Sequence, residues 1–188
     1  MKHTFLFTLM ILAVCSCSEP IPNRAESPEA AFLAVRAGLK NHDLKTYFDA
    51  LTEQAVLDEL GNSVMICLGG SNPKAVAAGL KQSVGCEEIL KRYNWPASTG
   101  SSPDAYKAAI AKIHDSRSLA AELEANHRRY GVGSSFVWGY LDKVRLSNLM
   151  VEGTKAHASA EWESGDKGDV RFEKDATGWR FDPMQGVR

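Results

Sequence analysis

Hydrophobic residues recur at intervals of three and four between residue 27 and about residue 130, which is the period of an amphipathic α-helix. The recurring positions form five groups, each of which predicts one buried helix face: Phe32, Val35 and Leu39; Leu44, Tyr47, Phe48 and Leu51; Val56, Leu57, Leu60 and Val64; Val76, Leu80 and Val84; Tyr106, Ile110 and Ile113. This part of the chain is therefore predicted to be helical.

Local sequence signals mark where these helices begin and end. Ser27-Pro28, Asn72-Pro73 and Ser102-Pro103 each place a capping residue before a proline, which suits the first helical position because proline has no N–H to leave unpaired. Gly131 follows a basic turn, residues 127–129, and this combination predicts the end of the last helix.

Beyond Ser134 the hydrophobic period falls to two, which is typical of β-strands. Alternation is seen in two stretches, in Phe136, Trp138 and Tyr140, and in Ala156, Ala158, Ala160 and Trp162. Turns are predicted at residues 165–168 and 175–178. The sequence thus predicts an α+β fold, with helices in 28–130 packed on a curved antiparallel β-meander in 134–183.

The beginning of the chain carries an apolar run from Phe5 to Val14 behind Lys2. The run is far shorter than the roughly 20 residues of a membrane-spanning helix, and it has the length and flanks of an export signal. The following Val14-Cys15-Ser16-Cys17 resembles the lipobox of bacterial lipoproteins. Plain secretory cleavage and an unprocessed N-terminus remain alternatives.

The lipobox resemblance implies a specific organisation of the chain. Residues 1–16 would be a signal peptide, Cys17 would carry lipid, 17–27 would be a polar tether and 28–188 would be a single domain. The protein is thus expected to be exported and anchored in the cell envelope. Ser18 after the lipid site implies the periplasmic face of the outer membrane if the cell is Gram-negative.

Two cysteines remain in the expected mature domain, Cys67 and Cys86. An even number in an oxidising compartment favours a disulfide, and two buried free thiols are the alternative. Two cysteines with no histidine close in sequence do not complete a zinc site, so no metal is expected. The formal net charge of −1 offers no basic surplus for nucleic acid.

The stretches "SPEAAFLAVRAGLKNHDLKTYFDALT" and "TKAHASAEWESGDKGDVRFEKDATGWRFD" together resemble the nuclear transport factor 2-like superfamily, which includes ketosteroid isomerase-like domains. In that family Gly178-Trp179-Arg180-Phe181 would be the last strand, with its aromatic residue packed into a curved sheet. The resemblance implies a cone-shaped fold that encloses a pocket. The helical segment 52–130 is longer than the middle of such domains.

Candidate chemistry is sparse. His157 and Glu161 share a strand face and are candidates for a base and its orienting carboxylate, with a solvent-exposed pair as the alternative. Four aromatic residues are candidates for lining a ligand pocket, with core packing as the alternative: Trp138, Tyr140, Trp162 and Trp179. His114-Asp115 is interpreted as a helix break in which Asp115 or Ser116 caps the next helix, with a metal-binding pair of a hydrolase as the alternative.

These observations lead to two hypotheses of function. The first is a lipid-anchored, non-catalytic module that binds an envelope protein or a small molecule, without a cofactor. The alternative is a small-ligand carrier or enzyme with a pocket in the sheet. Whether His157 faces a cavity or water would discriminate between them.

Overall fold

The computed structural model describes residues 25–70, 84–96, 103–131, 141 and 143–183. Within these ranges the elements are, in chain order, α1 (Pro28–Lys40), α2 (Leu44–Asp49), α3 (Glu53–Gly70), α4 (Cys86–Arg92), α5 (Pro103–Ile110), α6 (Ser116–Tyr130), β1 (Arg145–Glu152), β2 (Lys155–Glu161), β3 (Lys167–Asp175) and β4 (Gly178–Asp182). The predicted α+β fold, with helices first and an antiparallel meander last, is confirmed.

The predicted helix boundaries are confirmed where the structure describes them. The Ser27 hydroxyl accepts a hydrogen bond from the Ala30 N–H, with Pro28 at the first helical position of α1. Asp115 caps α6 by accepting from the Ser118 N–H. Gly131 ends α6 in the left-handed conformation, φ 60°, which a residue without Cβ adopts readily.

Some predictions fall outside the described residues. They are the helix start at Asn72-Pro73, the positions Val76 and Leu80, and the strand around Phe136. The start at Pro103 is confirmed, although its proposed cap, Ser102, lies outside the described residues.

The four strands lie in chain order, and every neighbouring pair is antiparallel. Ala156, Ala158 and Ala160 lie on the opposite side of β2 from His157, as the alternation predicts, and in the structure the alanines are buried and His157 is exposed. The predicted turn at 165–168 lies too late in the chain, because β2 ends at Glu161 and β3 begins at Lys167, so the connection consists of residues 162–166. Trp162 and Gly165 close that turn, and Lys167 and Gly168 already belong to β3.

Helices α3 and α6 are parallel neighbours. Their starts are joined by an ion pair between Arg117 and Glu53, 3.4 Å from Nη2 to Oε2. At their other ends Cys67 of α3 forms a disulfide with Cys86, and the Cys86 Sγ lies 3.9 Å from His127 Nε2 of α6. Groups at matching heights on the two helices therefore face each other.

Helix α4 runs antiparallel to α6. Its first residue, Cys86, lies beside His127, and Arg92 in its last turn pairs with Glu122, which is more than a turn earlier in α6. The Asn126 side-chain amide also donates to the Val84 carbonyl just before α4. The disulfide thus ties α3 to α4 at the end of the helical layer where α6 also ends.

The joint between the helices and the sheet lies at residues 50–52. The Thr52 N–H donates to Phe181 O and the Phe181 N–H donates to Ala50 O, both at 2.9 Å. Arg117 donates from the helical side to the carbonyls of Phe48 and Leu51. Arg180 of β4 donates from the sheet side to the Asp49 carbonyl.

The core continues across this joint. The Phe181 ring lies 5.4 Å from the ring of Phe32 in α1 and 5.4 Å from that of Phe172 in β3, measured between centroids. Helix α1 also approaches α2 very closely, because a Cβ on Gly38 would lie 2.7 Å from the Tyr47 backbone nitrogen. These contacts position the sheet with one side against the core and the other side toward solvent.

Candidate functional site

The solvent side of the sheet, which we call the outer face, is a polar surface that extends over all four strands. It is formed by alternate side chains of all four strands: Arg145, Ser147, Met150, Glu152, Lys155, His157, Ser159, Glu161, Lys167, Asp169, Arg171, Glu173, Arg180 and Asp182. All of these residues are exposed or half-buried. The outer face is therefore available to another molecule.

Charges on the outer face alternate from strand to strand. In one row Glu152 pairs with Lys155, Lys155 with Glu173, and Glu173 with Arg180. In another row Glu161 lies between Arg145 and Lys167. Opposite charges at directly paired positions stabilise a sheet by about 0.2–1 kcal/mol per pair.

The structure places His157 at the centre of the outer face, where it is exposed to solvent. Its cross-strand neighbours are Met150 and Arg171, neither of which is a carboxylate. Glu161 is four residues further along the same extended strand, so the two Cα atoms lie about 13 Å apart. A base and its orienting group need side-chain atoms near 3 Å apart, which this backbone spacing does not favour, and the pairing of His157 with Glu161 stays a prediction.

The aromatic candidates do not form one cavity in the described structure. Trp162 follows β2 at the end of the sheet where Glu161 pairs with Lys167, whereas Trp179 pairs with Lys174 near the opposite end. The two ends lie about 24 Å apart along β3. Trp179 is buried in the core and Trp162 is half-buried against it. Trp138 and Tyr140 lie outside the described residues.

A second polar group lies inside the helical layer. Where α2, α3 and α6 meet, five side chains form what we call the buried polar seam: Tyr47, Glu59, Ser63, Glu124 and His127, each no more than 3% exposed. Within α6 the Glu124 carboxylate accepts from Arg128 Nε at 2.8 Å. The charge of this carboxylate is thus compensated by a neighbour one helical turn away.

Burial perturbs two groups of the seam. It raises the pKa of Tyr47 well above its ordinary value, and the nearby Glu59 and Glu124 carboxylates raise it further. Burial also lowers the pKa of His127, so that this imidazole is neutral at neutral pH. His127 Nδ1 has no hydrogen-bond partner in the described part of the chain.

The seam is closed to solutes because its side chains are almost completely covered. Its polar groups therefore interact with other side chains inside the helical layer, where their mutual electrostatic effects are strong because water is excluded. Among the described residues, no three His, Cys, Asp or Glu side chains are grouped to hold a metal ion. No helix in the described ranges is long and apolar enough to cross a membrane.

No known family model, curated protein or solved structure matches the chain. The predicted resemblances to lipoproteins and to nuclear transport factor 2-like domains therefore stay predictions.

Sequence reasoning missed the buried polar seam, although a signal was present. Glu59 and Ser63 are spaced four residues apart between Ala55 and Cys67, which makes one line along α3. All four are buried. A charged residue at helical spacing between small residues is a signal for a polar contact with another helix, and only the packing of α6 identifies Glu124 as a neighbouring group.

Proposed function

We propose that this chain is an exported, lipid-anchored protein of the cell envelope, with Cys17 as its lipid attachment site. The observation that carries the proposal is the buried disulfide between Cys67 and Cys86. Structural disulfides persist in oxidising compartments and are rare in the cytosol. The apolar opening and the lipobox-like Val14-Cys15-Ser16-Cys17 support the same conclusion from the sequence.

Within this proposal the folded domain is a binding module, and the outer face is its recognition surface. Residues 145–182 build a sheet whose outer face carries both signs of charge, with His157 on an inner strand and Met150 beside it on β1. The balanced charge suits a partner that is itself polar and of mixed charge. His157 is solvent-exposed, so a pocket enzyme that uses His157 and Glu161 together is not favoured by the geometry.

The nuclear transport factor 2-like resemblance enters the proposal as a fold relationship. Helix α1 packs on β4, and Trp179 is buried directly after the turn at 175–178, which is the arrangement that the resemblance implies for the last strand. A test is whether an experimental structure contains a cone with an internal pocket. A flat sheet without such a pocket would remove the resemblance.

The anchoring part is tested by the intact mass of the natively produced protein and by its membrane fraction. We expect loss of residues 1–16, a mass increase from acyl chains on the N-terminal Cys17, and a Cys17→Ser variant that is neither processed nor lipidated. A Cys15→Ser variant is the matched control, since it should still be processed and lipidated. An unprocessed chain that remains in the cytosol would refute the proposal.

The recognition surface is tested by introducing a photo-cross-linking residue at His157, on the outer face, in cells that produce the protein. A defined cross-linked species is expected from position 157 and not from the exposed Lys40 at the end of α1. Equal products from both positions, or none from 157, would show that the outer face is not the binding surface.

A further inference from the structure

Among residues 25–70, 84–96, 103–131, 141 and 143–183, strand β1 is an edge strand, and no strand pairs with its outer backbone edge. The opposite edge of the sheet is covered, because β4 exchanges hydrogen bonds with the backbone of Ala25, Ala50 and Thr52. In the described part of the chain, β1 pairs only with β2. Two apolar side chains of β1, Met150 and Val151, are 54% and 53% exposed.

A bulge divides β1 into two regular halves, 145–147 and 150–152, because the pairing register with β2 shifts between Ser147 and Met150. The shift changes which side of the sheet the following side chains face. Arg145 and Glu152 are an odd number of positions apart, yet they pair with Glu161 and Lys155, which share the outer face. The bulge thus puts opposite charges at the two ends of β1 on the same side.

We propose that two copies of this chain associate through β1, antiparallel, with Arg145 of each copy opposite Glu152 of the other. In this register Leu146 opposes Val151 and Ser147 opposes Met150. Leu146 and Val151 both lie on the inner side, since their β2 partners are the buried Ala160 and Ala156. At every position of the regular halves, an inner-side residue of one copy is opposite an inner-side residue of the other, and an outer-face residue is opposite an outer-face residue. Leu146 of each copy thus covers the exposed Val151 of the other.

The charge pattern continues across this junction without a break. The row that ends on Glu152 in one copy is followed by Arg145, Glu161 and Lys167 of the second copy, so the signs alternate through seven positions from Arg180 onward. By the two-fold symmetry, the row that ends on Arg145 in one copy is followed by Glu152 of the second copy, and the signs alternate there too. Charge complementarity of β1 with its own reverse is the observation that selects a second copy as the occupant.

The two-fold axis lies between Asn148 and Leu149 and runs perpendicular to the sheet, so the outer faces of both copies form one surface of eight strands. Asn148 has a positive φ of 51° at the bulge, and the regular halves on either side therefore carry the pairing. An edge contact of this length is small. Interfaces below about 1,000 Å² are usually weak, so a reversible dimer is expected.

The experiment is sedimentation equilibrium of the natively processed protein over a range of concentrations, with charge-reversal variants. Each single variant, Arg145→Glu or Glu152→Arg, places like charges at both symmetric contacts and should raise the dissociation constant about tenfold. The double variant restores opposite charges between copies and should return the dissociation constant to near the wild-type value.

The structure supplies matched controls for these variants. Lys167→Glu reverses the other neighbour of Glu161, and Glu173→Arg reverses the other neighbour of Lys155, both away from the edge. Within one copy the double variant breaks two favourable pairs and should be the least stable in urea. Compared with the single variants, the double variant is thus expected to associate more tightly, whereas the unfolding free energy of each copy is expected to be lower.

Each possible result decides the question. Weaker association in both single variants, restored in the double and unchanged in the controls, supports pairing through β1. Three results would overturn the proposal. The protein could be a monomer at every concentration up to about 1 mM, or its dissociation constant could be unchanged in the single variants. The third result is a double variant whose dissociation constant is higher than that of either single variant.

Discussion

Removing the disulfide should destabilise the fold by an amount that follows from the loop it closes. Cys67 and Cys86 are separated by 19 positions, and cross-linking a loop of this length lowers the entropy of the unfolded chain by about 3 kcal/mol in free energy. The double variant Cys67→Ala with Cys86→Ala also loses two completely buried sulfur atoms. The expected loss of unfolding free energy is therefore about 3–4 kcal/mol.

The assay is urea unfolding followed by circular dichroism, with and without a phosphine reductant. The reductant should lower the unfolding free energy of the wild-type protein by about 3 kcal/mol and leave the double variant unchanged. Met65→Ala, at an exposed position of the same helix, is the control and should stay within about 0.5 kcal/mol of wild type.

One outcome would refute this reasoning. If intact mass shows that the wild-type chain has gained two hydrogens in the reductant, yet its unfolding free energy equals that of the oxidised chain, the bridge does not constrain the unfolded state. The disulfide would then be a poor reason to place the protein in an oxidising compartment.

Three further variants test the buried contacts by urea unfolding. Burial lowers the pKa of His127, so the folded state resists protonation and the unfolding free energy should fall as the pH drops below about 6.5. His127→Gln should flatten the slope of unfolding free energy against pH below about 6.5, and an unchanged slope would assign that slope to other groups. Arg117→Ala removes charged donors from two backbone carbonyls and should lower the unfolding free energy by about 2 kcal/mol. The control, Arg129→Ala at an exposed position, should lower it by less than about 0.5 kcal/mol. Equal losses would contradict the role of Arg117 at the joint. Gly38→Ala drives a Cβ into the Tyr47 backbone and should cost about 1–3 kcal/mol, whereas a neutral result would show that α1 and α2 can separate freely.

Features that depend on neighbours in the chain were predictable. Ser27 and Gly131 act within one helical turn, and their capping roles follow from residue type and position alone. For α6 the same reasoning leaves Asp115 or Ser116 as the cap, and the structure shows Asp115. The alternation along β2 likewise identified which residues share one side of the strand, although not which side is buried. The disulfide was predicted by a different route, from the cysteine count and the expected compartment.

Features that depend on how segments meet were not predictable. The aromatic candidates Trp162 and Trp179 lie at opposite ends of the sheet, which only the register of the meander decides. The buried polar seam requires α3 and α6 to be parallel and in contact, and nothing within either helix specifies that.

The sequence by itself determined the helix caps, the change of period from helix to strand and the α+β class, because each rests on interactions within a few residues. The tertiary structure alone decided that His157 faces water, that Glu124 lies beside Tyr47, and that a bulge turns Arg145 and Glu152 to one side of β1. Each of these outcomes depends on contacts between segments that are distant from each other in the chain. A one-residue change of register would reverse them without altering any local pattern.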